Sequence, residues 1–343
     1  MIAWGVAERV SAAIAGDGAG FAELPGDLDA LGERSVAAVL QTTGLEPMSP
    51  LPPPVAVDRA AWTTANLGIM RATIGPLEAQ LERQVAGLPS PLRSAAGSVV
   101  AAEAGAVVGY MGRRVLGQYE VVMSPEPTGT PRLLLVAPNI HEAAARLLVP
   151  LDDLLAWVTV HEVTHAVQFA AAPWLRGHLA GLLGELLAGA ELDLAKGAWA
   201  AIPSLDDLRG VWDRARTDGI MALAAGPERT AILDRMQAAM ALVEGHAEHV
   251  MDAAGIALVA DLPRLRRALD SSRTERSPMA AMLERLLGMD LKLRQYREGR
   301  AFCDAVVARA GMDGLNAAFA GPEQIPTLGE IADAELWLSR ISA

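Results

Sequence analysis

The sequence predicts a mainly α-helical fold (α+β) with one small β-sheet or hairpin, and three observations predict it. Hydrophobic residues make up 52% of the 343-residue chain, which is enough for a sizeable core. Aromatic residues make up only 4%, and the apolar content comes mainly from Ala, Leu and Val, which favours packed helices over a β-sandwich. Strand-like patterns are confined to one short region, residues 117–137.

The N-terminal 54 residues are predicted to form a separate part of the molecule. Two short helices are expected at residues 3–15 and 27–42, the second with Asp27 as its N-cap. Five prolines between Pro47 and Pro54 then predict an extended linker. We therefore expect two parts, residues 1–54 and a main domain of residues 55–343.

The first part of the main domain is predicted to be helical. A helix is expected at residues 58–72, a break at Gly75-Pro76, and a further helix to about Val85. Residues 92–114 contain four glycines, a pattern that indicates either a ligand-approach site or a helix packed closely against a neighbour. The second interpretation is the more common one and is preferred here.

The predicted sheet comes next, followed by helices almost to the end of the chain. Strands are expected at residues 117–123 and 132–137, around a turn rich in Pro and Gly. Apolar periodicity and the positions of Pro and Gly then predict the remaining helices, at residues 151–171, 175–196, 203–216, 228–253, 263–271, 278–288 and 290–311, with a short helix ending at Trp337.

Charge and cysteine content exclude several classes of protein. The net charge of −12 makes nucleic acid an unsuitable partner, because an acidic surface repels phosphates. The single cysteine, Cys303, excludes an intramolecular disulfide framework and a Cys-rich zinc site. We find no signal peptide and no uninterrupted apolar run of membrane-spanning length, so a cytoplasmic protein without a membrane partner is expected. Arg far outnumbers Lys, and with the high Ala content this indicates a bacterial source.

The segment His161-Glu162-Val163-Thr164-His165 predicts a metal-binding helix. Histidines four residues apart lie on one helical face, so both imidazoles reach one zinc ion. Glu162 then projects beside the metal, where a carboxylate can act as general base toward a water molecule. The flanking residues are apolar nearly all round the helix, which indicates burial and a specific reason for these polar groups.

The third ligand must come from elsewhere, because Gln168 and Ala171 occupy the positions where an extended His motif would need Gly and His. The best region is residues 242–252. Glu244 is the one charged member of an apolar helical stripe, which a ligand role would explain. His246 is the alternative, although a lone His on an apolar face is more often a hydrogen-bonded core residue.

Four segments carry a resemblance to a known family. HEVTHAVQF, followed about eighty residues later by EGHAEHVMD, resembles the glutamate-zincin arrangement, in which one helix supplies two His ligands and a base and a second helix supplies a Glu ligand. With VLGQYE and GMDLKLRQYREGRAF, these segments resemble the actinobacterial zincin-like family, whose members are described as hydrolases, some of them associated with deazaflavin-coenzyme biosynthesis. The resemblance covers roughly residues 55–340.

The resemblance implies a zincin-like helical domain with His161, His165 and Glu244 as zinc ligands and Glu162 as base. It implies no substrate. The leading hypothesis is a zinc-dependent hydrolase, a peptidase or amidase. The alternative is a non-catalytic zincin scaffold, a binding or assembly protein with a metal-stabilised core, against which the presence of Glu162 argues.

Two further groups of residues could take part in hydrolysis. Tyr296 and His249 are candidate donors to the oxyanion of a tetrahedral intermediate, as are Arg294 and Tyr119. By analogy with other zincins, the predicted strand between Arg132 and Pro138 could be an edge strand that pairs with an extended peptide.

Overall fold

The computed structural model describes residues 2–16, 23–84, 89–120, 130–195, 227–274 and 289–342. The predicted helices at 203–216 and 278–288 lie outside these residues. Within them the chain is mostly helical with one small sheet, so the predicted fold class is confirmed.

The elements follow the predicted order closely. The helix with the two histidines has the predicted bounds, 151–171. In chain order the helices are α1 (Trp4–Ala15), α2 (Leu28–Thr43), α3 (Arg59–Gln84), α4 (Ser90–Gly112), α5 (Ala137–Leu147), α6 (Leu151–Ala171), α7 (Trp174–Ala195), α8 (Pro227–Gly255), α9 (Leu262–Thr274), α10 (Met289–Asn316), α11 (Leu328–Ala332) and α12 (Ala334–Ile341). The strands are β1 (Pro54–Val57), β2 (Gly117–Tyr119) and β3 (Leu133–Val136).

The sheet has three strands in the order β1-β3-β2. β2 pairs antiparallel with β3, which confirms the predicted hairpin partners, and β1 adds a parallel strand that the sequence analysis treated as the end of a linker. β3 is therefore the central strand, and its residues Leu133–Val136 are buried. The expectation that residues 132–138 form a peptide-binding edge is wrong, because both edges of β3 are already paired.

Helix α3 continues through Gly75-Pro76, so the predicted break is also wrong. Met70 and Ile74, just before these two residues, pack against a core cluster that includes Trp4 and Trp62. Burial of this apolar surface offsets the weak helix propensity of Gly and Pro.

The glycines of α4 allow close packing against α1. A Cβ on Gly105 would overlap the backbone of Ala7, and one on Gly109 would lie 2.7 Å from the carbonyl oxygen of Ser11. This confirms the helix-packing interpretation of the small-residue segment. Among the described helices, α4 is also the one with a stretch, Arg93–Gly112, long and apolar enough to cross a membrane, a property that core helices of soluble proteins share.

The chain is organised as two compact units, each assembled from three stretches of sequence. The first contains Met1–Val39, Pro50–Val167 and Ala254–Ala268, and hence the sheet. The second contains Leu40–Ser49, Gln168–Ala253 and Leu269–Ala343. The predicted division of the chain into residues 1–54 and 55–343 stays a prediction.

The second unit has an aromatic core near its C-terminal end. The rings of Phe302 and Trp337 pack edge to face with centroids 5.4 Å apart, and both side chains are buried. The indole nitrogen of Trp174 donates to the carbonyl oxygen of Phe319, which ties the start of α7 to the turn after α10. These contacts connect α10 with α12, and the turn after α10 with the start of α7.

Candidate metal centre

Helix α6 is buried along most of its length, as its apolar flanks predict. All residues from Leu154 to Val160 are buried. The hydroxyls of Thr159 and Thr164 are satisfied within the helix, since they donate to the carbonyl oxygens of Leu155 and Val160. The helix therefore carries its histidines into the protein interior without leaving these hydroxyls unpaired.

His161 and His165 lie one turn apart on α6 and face each other. Their Nε2 atoms are 3.1 Å apart, and their rings meet edge to face with centroids 4.5 Å apart. Two ligand atoms at about 2.0–2.1 Å from one tetrahedral ion are themselves about 3.3 Å apart. The spacing of the two imidazoles is therefore close to the one that a shared zinc ion requires.

Glu244 joins the two histidines. One ligand atom each from His161, His165 and Glu244 lies within 4.8 Å of the other two, and all three residues are half-buried. Across the described residues, no other set of His, Cys, Asp or Glu side chains is gathered in this way. Two imidazoles and one carboxylate are a donor set of catalytic zinc sites, so these side chains fit the ion.

His246, the alternative ligand, has a different environment. Its side chain is fully buried, and its Nδ1 lies 2.9 Å from the Nε2 atom of Gln168. Its ring packs edge to face against Phe319, with centroids 4.9 Å apart. His246 is thus a hydrogen-bonded core residue, the more common interpretation of its pattern, and it is not a member of the three-residue group.

Glu162 is held by a contact that the sequence analysis did not foresee. Glu162 is only 6% exposed, and its Oε2 accepts a hydrogen bond of 2.7 Å from the backbone N–H of Tyr119 in β2. A Cβ on Gly117 would lie 2.8 Å from Cγ and 3.0 Å from Oε1 of Glu162. Gly117 therefore lets β2 approach the carboxylate closely, and this glycine was the one signal in the sequence for the contact.

The remaining predicted residues are not members of this three-residue group, or their side chains are not described. His249 contacts Asp304 through its Nδ1, at 2.6 Å from Oδ1. Arg300 bridges Asp304 and Asp252. Burial alone would lower the pKa of Arg300, but the two carboxylates outweigh it and raise the pKa above its ordinary value. Tyr296 lies on α10, and its side chain is outside the described residues.

Comparison with known proteins assigns the family. The model of the zincin-like metallopeptidases matches residues 2–338, nearly the whole chain. The chain belongs to the zincin-like metallopeptidase family. The predicted resemblance is thus confirmed at this level, and the family implies a metal, typically zinc.

One solved structure is similar over the full length. It is a protein from Chloroflexus aurantiacus described as a candidate hydrolase with a novel fold. It is 26% identical, covers 100% of this chain and 99% of its own, and superposes with a TM-score of 0.70. No curated protein matches the sequence. Family and neighbour together support a hydrolase.

Proposed function

We propose that this zincin-like protein is a zinc-dependent hydrolase of peptide or amide bonds. His161, His165 and Glu244 would hold the ion, and Glu162 would act as general base. The observation that carries the proposal is the group of three ligand atoms, with the carboxylate of Glu162 fixed next to the first histidine by a backbone hydrogen bond.

The chemistry divides between the ion and Glu162. When bound, zinc supplies a Lewis acid that polarises the scissile carbonyl and favours ionisation of the attacking water. Glu162 is anchored through Oε2, so Oε1 is the oxygen that we assign to proton transfer. It takes a proton from the water and returns it to the leaving nitrogen. Its low exposure limits competition from bulk water.

A metal-stabilised binding or assembly protein remains the alternative. Such a protein would need no carboxylate held beside the ligands, whereas here both Gly117 and the amide of Tyr119 serve to place one. For oxyanion stabilisation we retain His249 and Tyr296 as candidates. In His249, Nδ1 faces the carboxylate of Asp304 and so carries a proton, and Nε2 would donate to an oxyanion only in the doubly protonated ring.

The predictions about subgroup, source, location, partners and substrate belong to this proposal. Membership of the actinobacterial group associated with deazaflavin biosynthesis stays a prediction. So do the bacterial source, the cytoplasmic location and the absence of nucleic-acid and membrane partners. The substrate is expected to be a peptide or amide.

The experiment compares the wild type with Glu162→Gln. Both proteins are loaded with zinc, the bound metal is quantified by mass spectrometry, and hydrolysis of a fluorogenic library of peptides and acyl amides is followed. Asp152→Asn is the matched control, since it neutralises an exposed carboxylate on the same helix. We expect full zinc content in all three proteins and turnover at least about 100-fold lower in Glu162→Gln alone. Equal turnover in Glu162→Gln and wild type would contradict the proposed base.

A further inference from the structure

We infer that Gln168 is a positioning residue for metal binding, because it holds the segment of α8 that presents Glu244. The residues concerned are Gln168, Val243 and His246, which we call the Gln168 cluster. The inference rests on the proposed metal site, and it makes zinc binding depend on Gln168, a residue that is not one of the proposed ligands.

The Gln168 cluster is buried and hydrogen-bonded. Nε2 of Gln168 lies 2.8 Å from the carbonyl oxygen of Val243 and 2.9 Å from Nδ1 of His246. The side chains of Gln168 and His246 are both 0% exposed. Hydrogen bonds in such a place are costly to lose, since no water replaces the missing partner.

The bonding pattern fixes the orientation of both side chains. The Val243 carbonyl can only accept, so the amide nitrogen of Gln168, and not its oxygen, must face it. The second amide hydrogen then points to Nδ1 of His246, which must accept it. A neutral imidazole that accepts at Nδ1 carries its proton on Nε2. Neither ring nitrogen of His246 then offers a lone pair to a metal ion, which supports Glu244 as the third ligand.

The position of the cluster explains its effect on the site. Gln168 is three residues beyond His165 and hence close to one turn further along α6. Val243 and His246 flank Glu244 on α8. Two bonds from one amide define both the rotation and the axial position of α8 at this point, because a shift by one residue would break both. The cluster therefore sets the direction in which Glu244 projects.

The experiment measures zinc affinity, which requires no knowledge of the substrate. Metal-free proteins are titrated with zinc in competition with a chromophoric chelator, and cobalt(II) absorption spectra report the coordination of the substituted ion. Gln168→Met keeps the length of the side chain and removes both donors. We expect it to bind zinc about 10–100-fold more weakly than wild type, with an altered cobalt spectrum.

Two substitutions of His246 separate the positioning role from a ligand role. Asn places an acceptor oxygen near the position of Nδ1 and removes Nε2, whereas Leu removes the acceptor. We expect His246→Asn to bind zinc within about threefold of wild type and His246→Leu to resemble Gln168→Met. If Gln168→Met does not fold, this pair of variants still tests the inference.

The control is Asn316→Leu. It removes another amide-to-carbonyl hydrogen bond of the second unit, from Asn316 to the carbonyl oxygen of Thr43 at 2.7 Å. A loss of affinity that merely follows reduced stability would appear here too, and that result would overturn the inference. So would wild-type affinity in folded Gln168→Met, or loss of zinc in His246→Asn. A wild type that binds no zinc would instead overturn the proposed function itself.

Discussion

Gly245 and Gly299 meet where α8 and α10 cross with their backbones in contact. A Cβ on Gly245 would overlap the carbonyl group of Gly299, and a Cβ on Gly299 would overlap the carbonyl oxygen of Ala241. Any larger residue at either position would therefore collide with the backbone of the opposite helix. Since Gly245 follows Glu244 directly, this crossing also supports the proposed ligand.

We predict that Gly245→Ala and Gly299→Ala each lower the free energy of unfolding by about 1–3 kcal/mol, because the helices must move apart. Urea unfolding followed by circular dichroism measures the change. Gly177→Ala is the control, since a Cβ there would contact nothing and alanine is the better helix former. Its stability should be unchanged or higher by up to about 1 kcal/mol. Equal destabilisation at all three positions would contradict the close crossing.

Substitution of Gly117 is predicted to impair the base while leaving the ligands intact. The added Cβ of Gly117→Ala meets Glu162 and Val158 at 2.8 Å, so the carboxylate must shift. A displacement of about 1 Å at a reacting group can lower the rate about 100-fold. We expect such a loss in hydrolysis assays, with zinc affinity unchanged. Gly68→Ala, where a Cβ has open space, should retain wild-type activity.

Removal of the metal is predicted to destabilise the fold. A ligand at 100 times its Kd stabilises the native state by about 2.7 kcal/mol. We therefore expect unfolding in urea to occur at higher denaturant with excess zinc than with a chelator. His161→Ala should abolish this difference, whereas Glu162→Gln should keep it, since Glu162 is not a proposed ligand. A zinc effect that survives in His161→Ala would place the ion elsewhere.

The Glu330–Arg340 pair is predicted to make stability depend on pH. Burial alone would raise the pKa of Glu330, but hydrogen bonds from Arg340 and Thr327 outweigh it and hold the pKa below its ordinary value. A depressed pKa contributes stability that is complete above the unfolded value, about 4.3, and is lost as pH falls through the folded value.

The variant Glu330→Gln tests this dependence. It should be less stable than wild type by about 1–3 kcal/mol at pH 7. The difference should shrink as pH falls below about 4, where the wild-type carboxyl also becomes neutral. Urea unfolding at a series of pH values measures it, with Asp313→Asn, at an exposed position, as the control. A difference that is constant over this range would contradict the ion pair as its source.

The sequence predicts those features that depend on local pattern. The bounds of α6 follow from its apolar periodicity. At the starts of α2 and α3, the side-chain oxygens of Asp27 and Asp58 accept hydrogen bonds from backbone amides of the first turn, as N-caps do. Strand β1 was missed because its partner is distant: Pro54 pairs with Leu133, and no local pattern records that pairing. Helix α3 passes through Gly75-Pro76 because tertiary packing outweighs propensity.

For the candidate site, the metal-ligand residues could be predicted from the sequence, but the hydrogen bonds that hold the surrounding side chains in place could not. His161, His165 and Glu244 are recognisable because each is polar within an apolar helical pattern. The hydrogen bond from Tyr119 to Glu162 comes from a backbone amide, which every residue except proline has, so the identity of Tyr119 gives no signal for it and only the nearby Gly117 does. Gln168 appeared only as a residue that fails to extend the histidine motif, although it bonds to His246.

The hydrogen bond between Tyr119 and Glu162 also bears on solubility. Leu116 and Glu120 form backbone hydrogen bonds with Val136 and Arg132, on either side of the pairs in the β2–β3 ladder. Because successive residues of a strand point their amides to opposite sides, the amide of Tyr119 points away from β3. Unpaired strand amides invite another strand and hence aggregation, and a charged side chain there discourages it. A catalytically inactive protein for structural work is therefore better made with Gln at position 162, which can still accept this bond, than with Ala, which would leave the strand amide without this acceptor.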